Sequence, residues 1–196
     1  MPSVWGRRQR LACGALAAGA AVVLGGCGGG SHDTPKEGEK AFDAAAINVS
    51  VGEELTLIDT FEEGLPLLPR SEARALIRQF QGQEEEHLNG LTKLLRGLGG
   101  KLEGEATEVD LSGVKTEHDF LFLAYKLTGA ALTNYLESVP HLSTPAPQAL
   151  SASIAASEAQ HLVALRQLLG AGLPASVPEA FDTGEVPPPG AEKPQP

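Results

Sequence analysis

The stretch Leu76-Ile77-Arg78-Gln79-Phe80-Gln81-Gly82-Gln83-Glu84-Glu85-Glu86-His87-Leu88-Asn89-Gly90-Leu91-Thr92-Lys93-Leu94 decides the fold. Residues three and four apart share one face of a helix, so Leu76, Phe80, Leu91 and Leu94 form an apolar stripe. Glu84 and His87 fall on the same stripe, where core residues are expected. A carboxylate and an imidazole inside a core are costly unless they are paired, hydrogen-bonded or bound to a metal. Something inside the fold must satisfy them.

The pattern occurs twice. Leu150, Ile154, Glu158, His161, Leu165 and Leu168 reproduce Leu76, Phe80, Glu84, His87, Leu91 and Leu94 step for step, at one constant offset. One Glu-x-x-His match on a helix means little. Two in equivalent registers, both displacing stripe residues, point to a shared site. Glu-x-x-His projecting inward from each of two helices is the arrangement of carboxylate-bridged di-iron and di-manganese bundles. On these residues the chain resembles the ferritin-like superfamily, and most closely its exported group, which includes desiccation-related proteins. The resemblance covers about Ala41 to Gly170 and implies an all-α, ferritin-like four-helix bundle.

Four helices can be drawn from the sequence. The first runs from Ala41 to Glu63 and stops at Gly64-Leu65-Pro66, with Ile47, Val51, Glu54, Ile58 and Phe61 facing inward. The second runs from near Arg70, with Ser71 as cap, to Gly97-Leu98-Gly99-Gly100. The third spans Lys115 to Val139, and the fourth starts near Pro145, with Thr144 or Ser143 as cap, and ends at Gly170. Short links inside each pair make antiparallel hairpins. The stretch from Gly99 to Thr116 is long enough to travel the length of a helix. The expected topology is therefore two antiparallel hairpins joined by a long crossover loop.

The resemblance maps a first-helix glutamate onto Glu54 and supplies Glu84, His87, Glu158 and His161 from the second and fourth helices. These five are the expected metal ligands. The third helix departs from the family pattern: the offset that carries Glu84 onto Glu158 carries Glu54 onto Thr128, not onto a carboxylate. Glu117 and Glu137 lie too far along the helix, or too far around it, to replace it. Tyr125 and Tyr135 are closer to the Thr128 face, and either is placed to lie beside the site. Three carboxylates and two imidazoles suit iron, as a di-iron pair, or manganese or zinc. The alternative is a buried polar layer of paired Glu and His that only sets helix register. Glu53, Glu85 and Glu86 read as solvated.

Before the bundle, Arg7, Arg8 and Arg10 precede an apolar run from Leu11 to Leu24 and then Gly25-Gly26-Cys27. A basic start, a short apolar stretch and small residues describe a secretory signal over residues 1–27. The run is shorter than the roughly 20 apolar residues that span a membrane. Leu24-Gly25-Gly26-Cys27 looks like a bacterial lipobox, with Cys27 as the lipidated residue. The expectation is an exported lipoprotein held to the cell envelope by its lipid anchor, with residues 28–40 as a flexible tether. The proline-rich stretch 171–196 reads as a disordered tail.

Composition narrows the function further. Cys13 and Cys27 are the two cysteines, so thiolate metal sites, iron–sulfur clusters and cysteine nucleophiles are excluded from the bundle. The chain has 15 basic and 25 acidic residues; without the three arginines before Cys27, the balance is 12 − 25 = −13. Such acidity argues against nucleic acid as a partner and suits attraction of cations. The functional expectation is oxidative or metal-stress chemistry at a modified non-haem metal centre, ferroxidase- or peroxidase-like, with a manganese catalase-like activity as a weaker option. A metal-free bundle with a structural or stress-protective role is the competing reading. A homo-oligomer is compatible with either.

Overall fold

The computed structural model describes residues 36–178. The signal, Cys27, residues 28–35 of the tether and residues 179–196 of the tail lie outside the described residues. Four long helices carry the chain: α1 (Glu37–Gly64), α2 (Ser71–Gly97), α3 (Glu117–Ser138) and α4 (Pro145–Leu168). A short α5 (Leu173–Ser176) follows. No strand occurs among the described residues, and none of their helices is long and apolar enough to cross a membrane.

Helix ends follow local chemistry. Residues 37–40, assigned to the tether by sequence, are the first turn of α1, because Glu39 Oε2 accepts the Lys36 backbone N–H at 2.8 Å. Thr116 and Asp119 cap α3 reciprocally: Thr116 Oγ1 accepts the Asp119 N–H, and Asp119 Oδ2 accepts the Thr116 N–H. At the other end of α2, Gly99 takes φ 79°, and Gly100 N–H reaches back to the Leu95 carbonyl. α4 ends the same way, with Gly170 at φ 98° and Ala171 N–H bonded to the Arg166 carbonyl. Only glycine adopts that left-handed backbone at little cost, so both helices stop there.

The α4 start differs from expectation. Thr144 is the residue before the helix, but its side chain does not cap its own turn. Asp43 of α1 does that from across the bundle, accepting Ser143 N–H, Thr144 N–H and the Thr144 hydroxyl at 2.7, 3.1 and 2.8 Å. Likewise the residue before α2 is Arg70 rather than Ser71; its N–H and Nε both donate to Glu117 at the start of α3.

Pairing runs as hairpin, crossover, hairpin. α1 packs against α2 and α3 against α4, while α1–α3 and α2–α4 close the bundle. Asp43 meets Thr144, Ser50 meets Asn134, and Gly64 abuts Phe120, so α1 and α3 are antiparallel. The crossover follows α1 closely. Asn48 Oδ1 accepts Glu103 N–H and Gly104 N–H, and Thr56 Oγ1 accepts Thr107 N–H. These bonds satisfy backbone groups that a packed loop would otherwise leave unpaired.

The buried α2 stripe is Ala73, Ile77, Phe80, Glu84, Leu91 and Leu95. Leu76 and Leu94, expected on the stripe, are partly buried at its edge, as are Leu150 and Leu168 on α4. On α1 the inward residue is Leu57 rather than Ile58. Glu53 is also corrected: it is half-buried, and its Oε2 accepts from Asn134 of α3 at 2.8 Å. The tail boundary shifts too. Arg166 Nε donates to the Ala175 carbonyl and Gln167 to the Ser176 hydroxyl, which holds residues 173–176 on the end of α4.

Helix α1 ends against a ring. A Cβ on Gly64 would overlap the side chain of fully buried Phe120. Gly64→Ala gains at most about 1 kcal/mol of helix propensity, whereas overpacking a core typically costs about 1–3 kcal/mol. The clash wins, and urea denaturation is expected to show a net loss of about 1–2 kcal/mol. A variant as stable as wild type would mean that Phe120 has room to move.

Candidate metal centre

Three helices of the bundle deliver carboxylates from the face they must bury. Glu54 of α1, Glu84 of α2 and Glu158 of α4 are fully buried, and His161 is 2 % exposed. His87 is 13 % exposed at its side chain. The i, i+3 spacing sets each Glu-x-x-His glutamate beside the histidine of its own helix, and the antiparallel α2–α4 pairing brings both pairs into one layer.

The geometry within that layer is specific. Glu84 directs Oε2 to His87 Nδ1 at 2.9 Å and Oε1 to His161 Nδ1 at 3.2 Å. Glu158 mirrors it, with Oε1 3.3 Å from His87 Nδ1 and Oε2 3.4 Å from His161 Nδ1. Each of these carboxylates therefore spans both imidazoles. Glu54 approaches from one side only, with Oε2 3.5 Å from His87 Nδ1. Its other oxygen accepts a hydrogen bond from the hydroxyl of buried Tyr135 on α3.

Thr128 is fully buried on α3, and its hydroxyl has no hydrogen-bond partner among the described residues. By the repeat that pairs Glu54 with His87, it belongs to the His161 half, which lacks a third carboxylate, so the two halves of the layer are unequal. Tyr125, the other tyrosine considered from sequence, has its hydroxyl bonded by Arg166 instead. Of the residues that sequence reasoning did not single out, Gln83 belongs here: its Oε1 lies 2.9 Å from His161 Nε2. The signal was its position immediately before the first Glu-x-x-His.

Electrostatics follow from crowding in a dry layer. Burial pushes the Glu54 carboxyl up to about 8, His87 lowers it in part, and the Glu84 and Glu158 charges push it higher. Burial also opposes charge on Glu84, but the His161 and His87 imidazoles beside its two oxygens outweigh it and hold its carboxyl at about 2. The imidazoles move against the direction of burial: Glu158 and Glu84 raise His161 to about 9, while Glu158, Glu54 and Glu84 raise His87 to about 12. Without a cation, protons on the imidazoles do the neutralising.

The residues fit a metal ion. Ligand atoms of Glu54, Glu84, His87 and Glu158 all lie within 4.8 Å of one another. Two donors on opposite sides of a cation with bonds of about 2.0–2.4 Å are at most about 4.8 Å apart. Glu54 Oε2, Glu84 Oε1, both Glu158 oxygens and His161 Nδ1 are buried with no well-directed hydrogen bond among the described residues. A hard cation satisfies such a set, and protein hydrogen bonds here do not. His161 falls outside the tightest group of four. Its Nδ1 lies 3.2 Å from Glu84 Oε1 and 3.4 Å from Glu158 Oε2.

The layer therefore defines a helical bundle with a buried carboxylate–imidazole cluster that can hold a metal ion. The model of the ferritin-like domain family matches residues 38–171, and the chain belongs to that family. No curated protein and no solved structure matches the chain.

Proposed function

We propose that this is an exported, envelope-anchored ferritin-like protein whose Glu54, Glu84, His87, Glu158 and His161 bind iron or manganese for iron, oxygen or peroxide stress chemistry. The observation that carries the metal reading is the pair of spanning carboxylates, Glu84 and Glu158, each with one oxygen toward each imidazole. Glu54, Glu84, His87 and Glu158 would hold one cation; Glu84, Glu158 and His161 would share a second. Tyr135 fixes the orientation of Glu54 through its hydroxyl, and Thr128, standing where a fourth carboxylate would, would leave the second cation a coordination position for water or a small oxygen ligand. A redox-active metal held there would supply one-electron chemistry toward dioxygen or peroxide. Export and anchoring rest on Arg7, Arg8 and Arg10, the apolar run that follows and Leu24-Gly25-Gly26-Cys27.

Elemental analysis of protein purified without chelator tests the metal reading. About two irons or manganese ions per chain are expected, one for each position. In Glu84→Ala/His161→Ala the content should fall to background, because one spanning carboxylate and one imidazole are gone. A double variant that retains wild-type iron would sink the ligand assignment.

A metal-free structural bundle is the second reading. It is favoured by one observation: His87 Nδ1 and Glu84 Oε2, at 2.9 Å, already form a directed hydrogen bond without any cation. On that reading chelators leave thermal stability unchanged, whereas a ligand that binds only the native state must raise it.

A further inference from the structure

Helix α2 surrounds the ring of His161 on three sides. Phe80 stacks on it with centroids 4.0 Å apart and an interplanar angle of 29°. Gln83 Oε1 sits 2.9 Å from Nε2, and Glu84 Oε1 sits 3.2 Å from Nδ1. These residues follow one another at i, i+3 and i+4, so a single helical face forms the clamp. The equivalents on α4, in the second copy of the pattern, are Ile154, Ser157 and Glu158. They offer His87 the carboxylate but neither the aromatic ring nor an amide long enough to reach across.

We propose that Gln83 is a positioning residue that fixes the tautomer and angle of His161 and so pre-sets Nδ1 as the metal-facing atom. An amide carbonyl oxygen can only accept, so the Nε2 facing it must carry the proton. The remaining nitrogen, Nδ1, then presents its lone pair toward Glu84 and Glu158 when it binds a cation. Outer partners of this kind orient a metal-bound imidazole and raise its basicity. The device sits on the half that needs it. The His87 position has a third carboxylate, Glu54, at 3.5 Å; the His161 position has Thr128 instead, so its imidazole must be placed without that help. The inference rests on the metal reading for its purpose, but the Nε2 proton it assigns is present with or without a metal.

The experiment has two arms on the full chain and on Gln83→Leu, which keeps the volume and removes the acceptor. Gln83→Ser, which copies position 157 and is too short to reach, serves as the second variant. Gln83→Glu retains an acceptor. In the first arm, nitrogen-resolved NMR of the metal-free protein follows the His161 Nε2–H signal. It should be protected from solvent exchange in wild type and Gln83→Glu, and lost in Gln83→Leu and Gln83→Ser. In the second arm, Zn²⁺ titration should show an ion at His161 bound about 10–100-fold more weakly in the Leu and Ser variants. Protection that persists in both of these variants overturns the proposal, as does unchanged Zn²⁺ affinity. Wild type that binds no Zn²⁺, iron or manganese overturns the metal function alone, and the first arm still decides the role of Gln83.

Discussion

Stripped of metal, the protein is expected to lose stability as pH rises from about 6.5 to 9, and excess Mn²⁺ or Zn²⁺ should remove that loss. His161 has a folded value of about 9 against an ordinary 6.5. A group whose folded value is raised contributes stability that is fully present below its unfolded value and lost as pH climbs through the folded one. The shift is worth on the order of 3 kcal/mol for His161. Glu54, raised from 4.5 to about 8, adds a loss of the same sign between those two values, since its carboxyl prefers the protonated form in the fold, so the decline begins below the His161 window. His87, raised to about 12, carries the loss to still higher pH. Glu84 acts in a separate window: held at about 2, it contributes stability above the ordinary 4.5 that is lost only in acid.

A cation replaces those protons, so its binding releases them and strengthens as pH rises. The metal-loaded protein should therefore keep or gain melting temperature over the window in which the metal-free protein declines. At a free metal concentration of about 100 times Kd, the gain is about 2.7 kcal/mol, or roughly 5–10 °C for a domain of this size. Thermal melts at half-unit pH steps, with and without metal, measure it directly. Parallel curves would mean that the cation does not enter this layer, and that the Glu–His cluster only sets helix register.

Asp43→Ala should cost about 3 kcal/mol, a melting-temperature drop of roughly 10 °C. Asp43 is fully buried and accepts three hydrogen bonds, two of them from backbone N–H groups where α4 begins. Alanine would strand those donors at a helix N-terminus, the end that favours negative charge. The Thr144 hydroxyl could turn to cap its own helix, which returns about 1 kcal/mol. Asp43→Asn should recover little, because an amide presents its own donors to the N–H groups. A loss below about 1 kcal/mol would show that the α3–α4 turn caps itself and that the α1 contact is dispensable.

Both predictions concern groups whose importance was unevenly visible in the sequence. Glu84, His87, Glu158 and His161 stood out because they interrupt an apolar period at matching registers of two helices. Asp43 did not: the N–H groups it caps belong to the far end of the bundle's second hairpin, and nothing local marks it. Glu53 and Glu54 are adjacent acids that the helical period alone assigns to different faces. That period put Glu54 inside correctly. It left Glu53 in solvent, where Asn134 of the neighbouring helix in fact draws it into the α1–α3 seam.

The sequence by itself determined the four long helices, the stops at Gly99 and Gly170, the two-hairpin topology and the inward placement of Glu54, Glu84, Glu158 and His161. These are short-range matters: periodicity, backbone freedom and loop length act within a few turns. The tertiary structure decided what only packing between helices can decide. It selected Tyr135 rather than Tyr125 as the partner of Glu54, gave His161 an amide and an aromatic face from α2, and pointed each spanning carboxylate at both imidazoles. Which oxygen faces which nitrogen depends on the register between antiparallel helices, and residues far apart in the chain set that register.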